Sequence, residues 1–380
     1  MSAEAHPKQL LEEVQHHERY ALLDACSLES LRALYNCYRA EQEKDEPLVS
    51  VLLATYKTEA VYLRTCIDSI LSQTYANFEL LILDDCPEDI AVEAEVAQYK
   101  DARIHYRKNK QNKGIAETRN ALMEWARGDY FAVIDHDDIM VPERLERQVI
   151  YMELNRTVGI CGGGYNYFGS WKKRKTVRHA MHSEEIKAGL FFKCTMHHPS
   201  IMIRADVIRE KAIAYNADYI SANDRHLYLD LMPFVEFHNL PQVLMRYRIH
   251  AAMTSKTKQA QIQAEQANLR NEMLAKIGVH LSEEETQLLN NFVLRGRCRI
   301  RDRRVLAQVE ALLVKLNQAN LQSGYFPVRA FSKLCGKYLI KRCLNAAVYG
   351  RISSKALLEA TNLPIQKKPL LLKILNALLH

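Results

Sequence analysis

YFAVIDHDDIM, residues Tyr130 to Met140, runs an apolar segment into three carboxylates and a histidine within four positions. Carboxylates this close repel and raise one another's pKa, so their place at the end of a buried strand asks for a reason. Two similar runs lie upstream, LVSVLLA (Leu48–Ala54) and FELLILD (Phe78–Asp84). VYLRTCIDSILSQ, GIAETRNALMEWA and PERLERQVIYMEL, between or after the runs, have the apolar spacing of amphipathic helices. Strand and helix alternating in this way predict an α/β fold, with a mostly parallel central sheet and helices on both faces.

Open parallel sheets bind ligands at the carboxyl ends of their strands. Here the strands end in Thr55 and Tyr56, in Asp84 and Asp85, and in Asp135, Asp137 and Asp138. Clustered carboxylates suit a hard divalent cation, Mg²⁺ or Mn²⁺, that shares them with a phosphate-bearing substrate. Asp138, just before Val141 and Pro142, also suits a helix cap.

Composition bounds the rest. A chain of 380 residues, 48% hydrophobic, buries a large core as one main domain with additions. No apolar run reaches the ~18 residues of a membrane-spanning helix, and the polar start MSAEAHPKQLLEEVQHHERY is unlike a signal peptide. Nine cysteines without a CxxC pair read as reduced thiols of a cytoplasmic protein, with Cys161 and Cys194 in the core. Residues 1–46 read as a helical extension, 47–257 as the α/β domain and 258–380 as a basic helical region. Within that region Ser282 and Glu285 stand at capping-box spacing. From Arg295 onward 17 Lys and Arg face three acids, a net +14, which leaves −7 for the rest of the chain. Such a tail fits an anionic surface, nucleic acid or lipid, and the lack of a nucleic-acid-binding motif favours lipid.

Longer stretches resemble a known family. VSVLLATYKTEAVYLRTCIDSILSQTYANFELLILDD, NKGIAETRN and GDYFAVIDHDD are similar to the nucleotide-sugar half of the family 2 inverting glycosyltransferases, which have the GT-A fold. HHPSIMIR, NADYISANDRHLYLDL and YRIHAAMTS are similar to the acceptor half. The likeness spans roughly residues 48–256 and extends to bacterial lipooligosaccharide enzymes that add β-linked N-acetylhexosamine.

The resemblance implies a UDP-sugar donor, a glycan acceptor, Mn²⁺ or Mg²⁺, and roles for particular residues. Thr55, Tyr56 and Glu59 line the nucleotide sugar, and Asp85 meets the uracil ring. Gly114 and Arg119 approach the nucleotide, where a helix N-terminus suits an anion on physical grounds too. Asp135 and Asp137 touch ribose and metal, with His250 completing the metal site. Asp224 is the base that deprotonates the acceptor hydroxyl, while His197, His198 and Arg225 stand on the acceptor side, the two histidines either as packing or as acceptor contacts. Four positions depart from the family pattern: Asn223 replaces the Glu that usually precedes the base, Arg225 and His226 stand where the family often has Tyr and a polar residue, and Lys57 stands where Asn often follows Thr-Tyr. The Asn223 departure keeps a second reading open, a sugar-nucleotide-binding subunit with little transfer activity. WKKRKTVRH, 171–179, is either a solvated loop or a contact for a phosphorylated acceptor. At the end of the chain, PLLLKILNALLH, 369–380, predicts a short helix apolar around most of its circumference, suited to lie in a membrane surface.

Overall fold

The computed structural model describes residues 23–43, 45–169, 175–250, 259–294 and 303–348. It divides into two compact units. One is built on the chain through Ile186 with Thr195–Gln266, the other on Lys187–Cys194 with the chain from Ala267.

In the first unit, β1 (Val49–Thr55), β2 (Phe78–Asp84), β3 (Ile104–Lys108) and β4 (Tyr130–Asp135) lie parallel in the order β3-β2-β1-β4. Helices α2 (Ala60–Leu71), α3 (Ala91–Val96), α4 (Ile115–Trp125) and α5 (Arg144–Leu154) occupy the connections and the segment after β4. β2 is buried along its whole length and β1 almost so, which explains why their sequences run apolar instead of alternating. The register pairs Thr55 with Asp84 and Ala54 with Asp135, so the polar ends of the three strands line up on one edge.

A buried carboxylate locks the opposite edge. Glu79 accepts from Ser50 Oγ at 2.7 Å, from the Arg127 backbone N–H at 2.9 Å and from the Arg127 guanidinium at 2.7 Å. The Gly128 N–H then donates to Ser50 Oγ at 2.8 Å. Only glycine fits there, because a Cβ would stand 2.6 Å from Ser50 N and 2.8 Å from Leu48 O.

Beyond β4 the sheet changes character. β8 (Met202–Arg204) runs antiparallel to β4 and to β6 (Val158–Phe168), which pairs in parallel with β9 (Glu236–Arg248). The short β5 (Ile139–Met140) closes the far edge against β9, and β7 (Thr176–Val177) pairs with β6. The expected parallel sheet is therefore parallel over its first four strands and mixed after them. Helices α6 (Ser183–Gly189), α7 (Ala205–Lys211) and α8 (Asn223–Leu231) join these later strands. The N-terminal helix α1 (Leu28–Gln42) is capped by Ser27 and buries Leu31 and Tyr35 in the same core as β1 and β2. Its Arg32 clasps Glu146 of α5 through two hydrogen bonds of 2.5 and 2.7 Å.

The chain continues through α9 (Gln259–Lys276) to α10 (Glu283–Leu288), whose Ser282 and Glu285 form the expected capping box. α11 (Arg303–Ser323) and α12 (Val328–Val348) follow. In the second unit Phe326 stacks on Phe331 at 5.4 Å, and Phe191 meets both rings edge-on. Lys333, Lys337 and Lys341 recur every fourth residue on the exposed side of α12. Arg342 does not share that face: it is 1% exposed and donates to the Val293 carbonyl at 3.3 Å. The expected terminal helix, 369–380, and residues 171–174 of the basic loop lie outside the described residues. Among the described residues no helix is long and apolar enough to cross a membrane, and the cysteines are free thiols, Cys161 buried and Cys194 partly so.

Candidate active site

The acidic turn is built by the strands on either side of it. After β4 the chain turns through Asp135–Asp138, with the Asp138 N–H donating to Asp135 O at 3.1 Å, and re-enters the sheet as β5 beside the end of β9. Asp138 is fully buried and accepts from the Arg248 N–H at 2.9 Å. Arg248 in turn donates from Nε to the Asp137 carbonyl at 2.7 Å and from Nη2 to Thr65 Oγ1 at 2.9 Å. These bonds fix the end of β9, and two residues further on His250 Nε2 stands 2.7 Å from Asp137 Oδ2. Asp138 is thus a brace inside the turn rather than a helix cap; α5 begins after Glu143. Burial, reinforced by Asp135 and Asp137, pushes the Asp138 carboxyl well up.

Asp135 faces the other way. Its Oδ1 accepts from Arg119 Nη2 at 3.0 Å, and Arg119 Nη1 donates to Asn223 Oδ1 at 3.1 Å. The Asn223 amide is held by the Tyr219 and Ile220 carbonyls at 3.2 and 2.9 Å. One guanidinium therefore links the acidic turn to the first turn of α8, where Asp224 follows half-buried. Burial raises the Asp135 carboxyl, Arg119 works against that, and Asp137 adds to it.

The expected metal trio divides accordingly. Asp137 and His250 meet, whereas Asp135 is turned to Arg119; the one group of three metal-ligating side chains within 4.8 Å among the described residues lies elsewhere. The residues present fit a cation at Asp137 and His250, with phosphate oxygens and water as further ligands.

Beyond the end of β2, Asp85 accepts from Asn109 Nδ2 and from the Lys113 and Gly114 backbone N–H groups, each at 2.8 Å. It thereby anchors the entry to α4, from which Arg119 projects. Gly114 has φ +83°, a conformation that side chains strain to adopt. Thr55 is buried and donates to Asp84 at 3.1 Å. Tyr56, Lys57, Glu59, Cys86, Glu88 and Asn112 line an open cleft of ≈ 610 Å³ beside the ends of β1 and β2. Lys57 holds φ +48°, a region in which Asn is at ease, so the departure from the family pattern falls on a strained residue.

Two residues assigned to the acceptor side are corrected. Arg225 is 1% exposed, with its guanidinium on Gln266, and His198 is 5% exposed, with Nε2 2.9 Å from Tyr215 Oη. Both are interior groups. His197 is partly accessible and stacks on Tyr165 at 3.9 Å, with Tyr247 edge-on at 5.0 Å. Burial drives its imidazole down to about 3, so it is neutral. Tyr167 completes this cluster, 5.3 Å from Tyr165 and 5.8 Å from Tyr247. Sequence reading missed these tyrosines, although Tyr165 and Tyr167, two apart on a strand, face the same way. Burial raises the Tyr247 phenol, and Asp135, Asp138 and Asp137 raise it further.

The parallel half of the sheet thus ends in an Asp-x-Asp turn that a histidine from the end of β9 joins. Residues 50–211 match the family model for glycosyl transferase family 2. An uncharacterized glycosyltransferase of Methanocaldococcus jannaschii is 33% identical over 214 residues, 54% of this chain and 72% of that one. The Escherichia coli protein WfaP, named as a UDP-Glc:α-D-GlcNAc-diphosphoundecaprenol β-1,3-glucosyltransferase, is 30% identical over 215 residues, 56% of this chain and 81% of that one. The crystal structure of Staphylococcus aureus TarS 1–349 with UDP-GlcNAc shares the fold, with a TM-score of 0.51 at 14% identity over 77% of this chain and 90% of that one. The chain belongs to glycosyl transferase family 2.

Proposed function

We propose that this glycosyltransferase moves a hexose or N-acetylhexosamine from a UDP-sugar to a hydroxyl of a lipid-linked glycan, with inversion, in the synthesis of a bacterial surface glycan. The observation that carries the reading is the Arg119 bridge between Asp135 and Asn223, which ties the donor-binding turn to the helix bearing Asp224. Asp224 takes the proton from the acceptor hydroxyl as that oxygen attacks opposite the leaving UDP, and a single displacement inverts the anomeric carbon. Asn223 keeps a use without being acidic, as the acceptor for Arg119. Asp137 and His250 would hold Mn²⁺ or Mg²⁺, which when bound supplies Lewis-acid stabilisation to the leaving diphosphate. Arg248 and Asp138 hold His250 in place for that task. Tyr167 and Tyr247, both partly exposed, offer rings against which an acceptor sugar can pack, with Tyr165 buried behind them.

The name of the E. coli relative supports a UDP-hexose donor and a diphosphate-lipid acceptor. The basic C-terminal region, with Lys333, Lys337 and Lys341 exposed, supports attachment to the cytoplasmic face of a membrane, where such an acceptor is found. The test is UDP release across UDP-GlcNAc, UDP-GalNAc, UDP-Gal and UDP-Glc, with and without diphospholipid-linked sugars. One donor and acceptor pair that raises release far above hydrolysis supports the reading. Donor binding without acceptor-stimulated release for any pair overturns it in favour of a sugar-nucleotide-binding subunit.

A further inference from the structure

We infer that Asp24, His182 and His238 form a binding site for a Zn²⁺-class dication, separate from the acidic turn, that fastens the segment before α1 to β9. Their potential ligand atoms all lie within 4.8 Å of one another. Asp24 lies ahead of α1, His182 immediately before α6 and His238 near the start of β9, whereas His250 follows the other end of that strand.

Two observations point to a cation. Asp24 Oδ1 and His238 Nε2 are 3.0 Å apart, with side chains only 7% and 1% exposed. Asp24 Oδ2 is buried without a hydrogen-bond partner, and a buried carboxylate with so little compensation is costly.

The frame around the three is rigid. The His238 ring stacks on Tyr151 at 4.5 Å and 21°. The loop before α6 is pinned where the Asn239 N–H donates to Met181 O at 2.9 Å and the Phe237 N–H to Ser183 Oγ at 3.1 Å. Metal–ligand bonds of ~2.0–2.1 Å in a tetrahedron set ligand atoms roughly 3.3 Å apart. The Asp24–His238 pair stands near that spacing, and a modest rotation of the exposed His182 would supply the third ligand and leave a fourth position for water. Two imidazoles with one carboxylate select Zn²⁺ over Mg²⁺ or Ca²⁺, which prefer all-oxygen sites.

Equilibrium dialysis of the full chain against Zn²⁺, with elemental analysis and thermal melting, tests the site. Because Asp137 and His250 can also take up Zn²⁺, the comparison is Asp137→Ala against Asp137→Ala/His182→Ala. The single variant is expected to retain one equivalent and to melt several degrees higher with Zn²⁺; the double variant is expected to do neither. His182 is exposed, so its loss leaves folding intact, which the metal-free melting curve checks. Equal uptake by the two variants, or none by either, overturns the inference.

Discussion

Asp137 and His250 meet across 113 residues of chain, carboxylate oxygen to imidazole nitrogen at 2.7 Å. A carboxylate and an imidazole held together at the mouth of a strand-end turn are a ready pair for a divalent cation. Chelation is therefore expected to abolish transfer, and Mn²⁺ or Mg²⁺ to restore it. Asp137→Ala is expected to resist rescue at ordinary metal concentrations. Full activity of the purified enzyme in excess chelator would remove the cation from the mechanism.

Asp224 sits beside the residue that Arg119 grips, so its loss tests the base without disturbing the donor. Asp224→Asn is expected to lower turnover by roughly 10²- to 10⁴-fold, the usual worth of a general base, with UDP-sugar affinity nearly unchanged. Kinetics beside donor-binding calorimetry measures both. Turnover close to that of the parent enzyme places the base on another residue.

Glu79 tests the fold. Burial pushes its carboxyl up, but Ser50 and Arg127 outweigh that and hold it below the ordinary value. Glu79→Gln sets an amide N–H₂ against donors in a buried site and is expected to cost about 1–3 kcal/mol. A depressed carboxylate contributes stability above its unfolded pKa, near 4.3, and loses it as pH falls through the lower folded value. The deficit of the variant is therefore expected to be full at pH 7 and to shrink below about pH 4. Urea titrations at the two pH values measure it; a deficit that grows on acidification contradicts the account.

The C-terminal expectation rests on sequence alone. Lys367 and Lys368 adjoin the apolar segment 369–380, and each basic residue near an anionic leaflet contributes about 1 kcal/mol. Full-length protein is expected to sediment with anionic liposomes, and a chain stopped after Asn362 to do so far less. Equal binding by the two forms, or binding indifferent to lipid charge and salt, argues that the terminal leucines pack on protein instead.

The parallel half of the sheet, its polar strand ends, two of them acidic, and the family were legible in the residues. Their signals are local: apolar runs that must be buried on both faces, and carboxylates that follow them at fixed spacing. What Arg119, Asn223, Asp138 and Arg225 do was not legible, because each acts through partners far away in the chain. Arg119 reaches Asn223 over 104 residues and Arg248 reaches Asp138 over 110. Residue type even misleads there. Arg225 and His198 have the chemistry of acceptor contacts, yet the helix and the turn that carry them point both side chains into the interior. Asp24 was silent for the same reason: a lone aspartate ahead of a helix becomes a ligand candidate only when a loop and a distant strand bring His182 and His238 beside it. Sequence by itself determined which segments must be buried and which strand ends carry charge, since burial and period belong to neighbouring residues. Only the tertiary structure decided which charges meet, since pairing depends on the register and crossing of elements that no local pattern encodes.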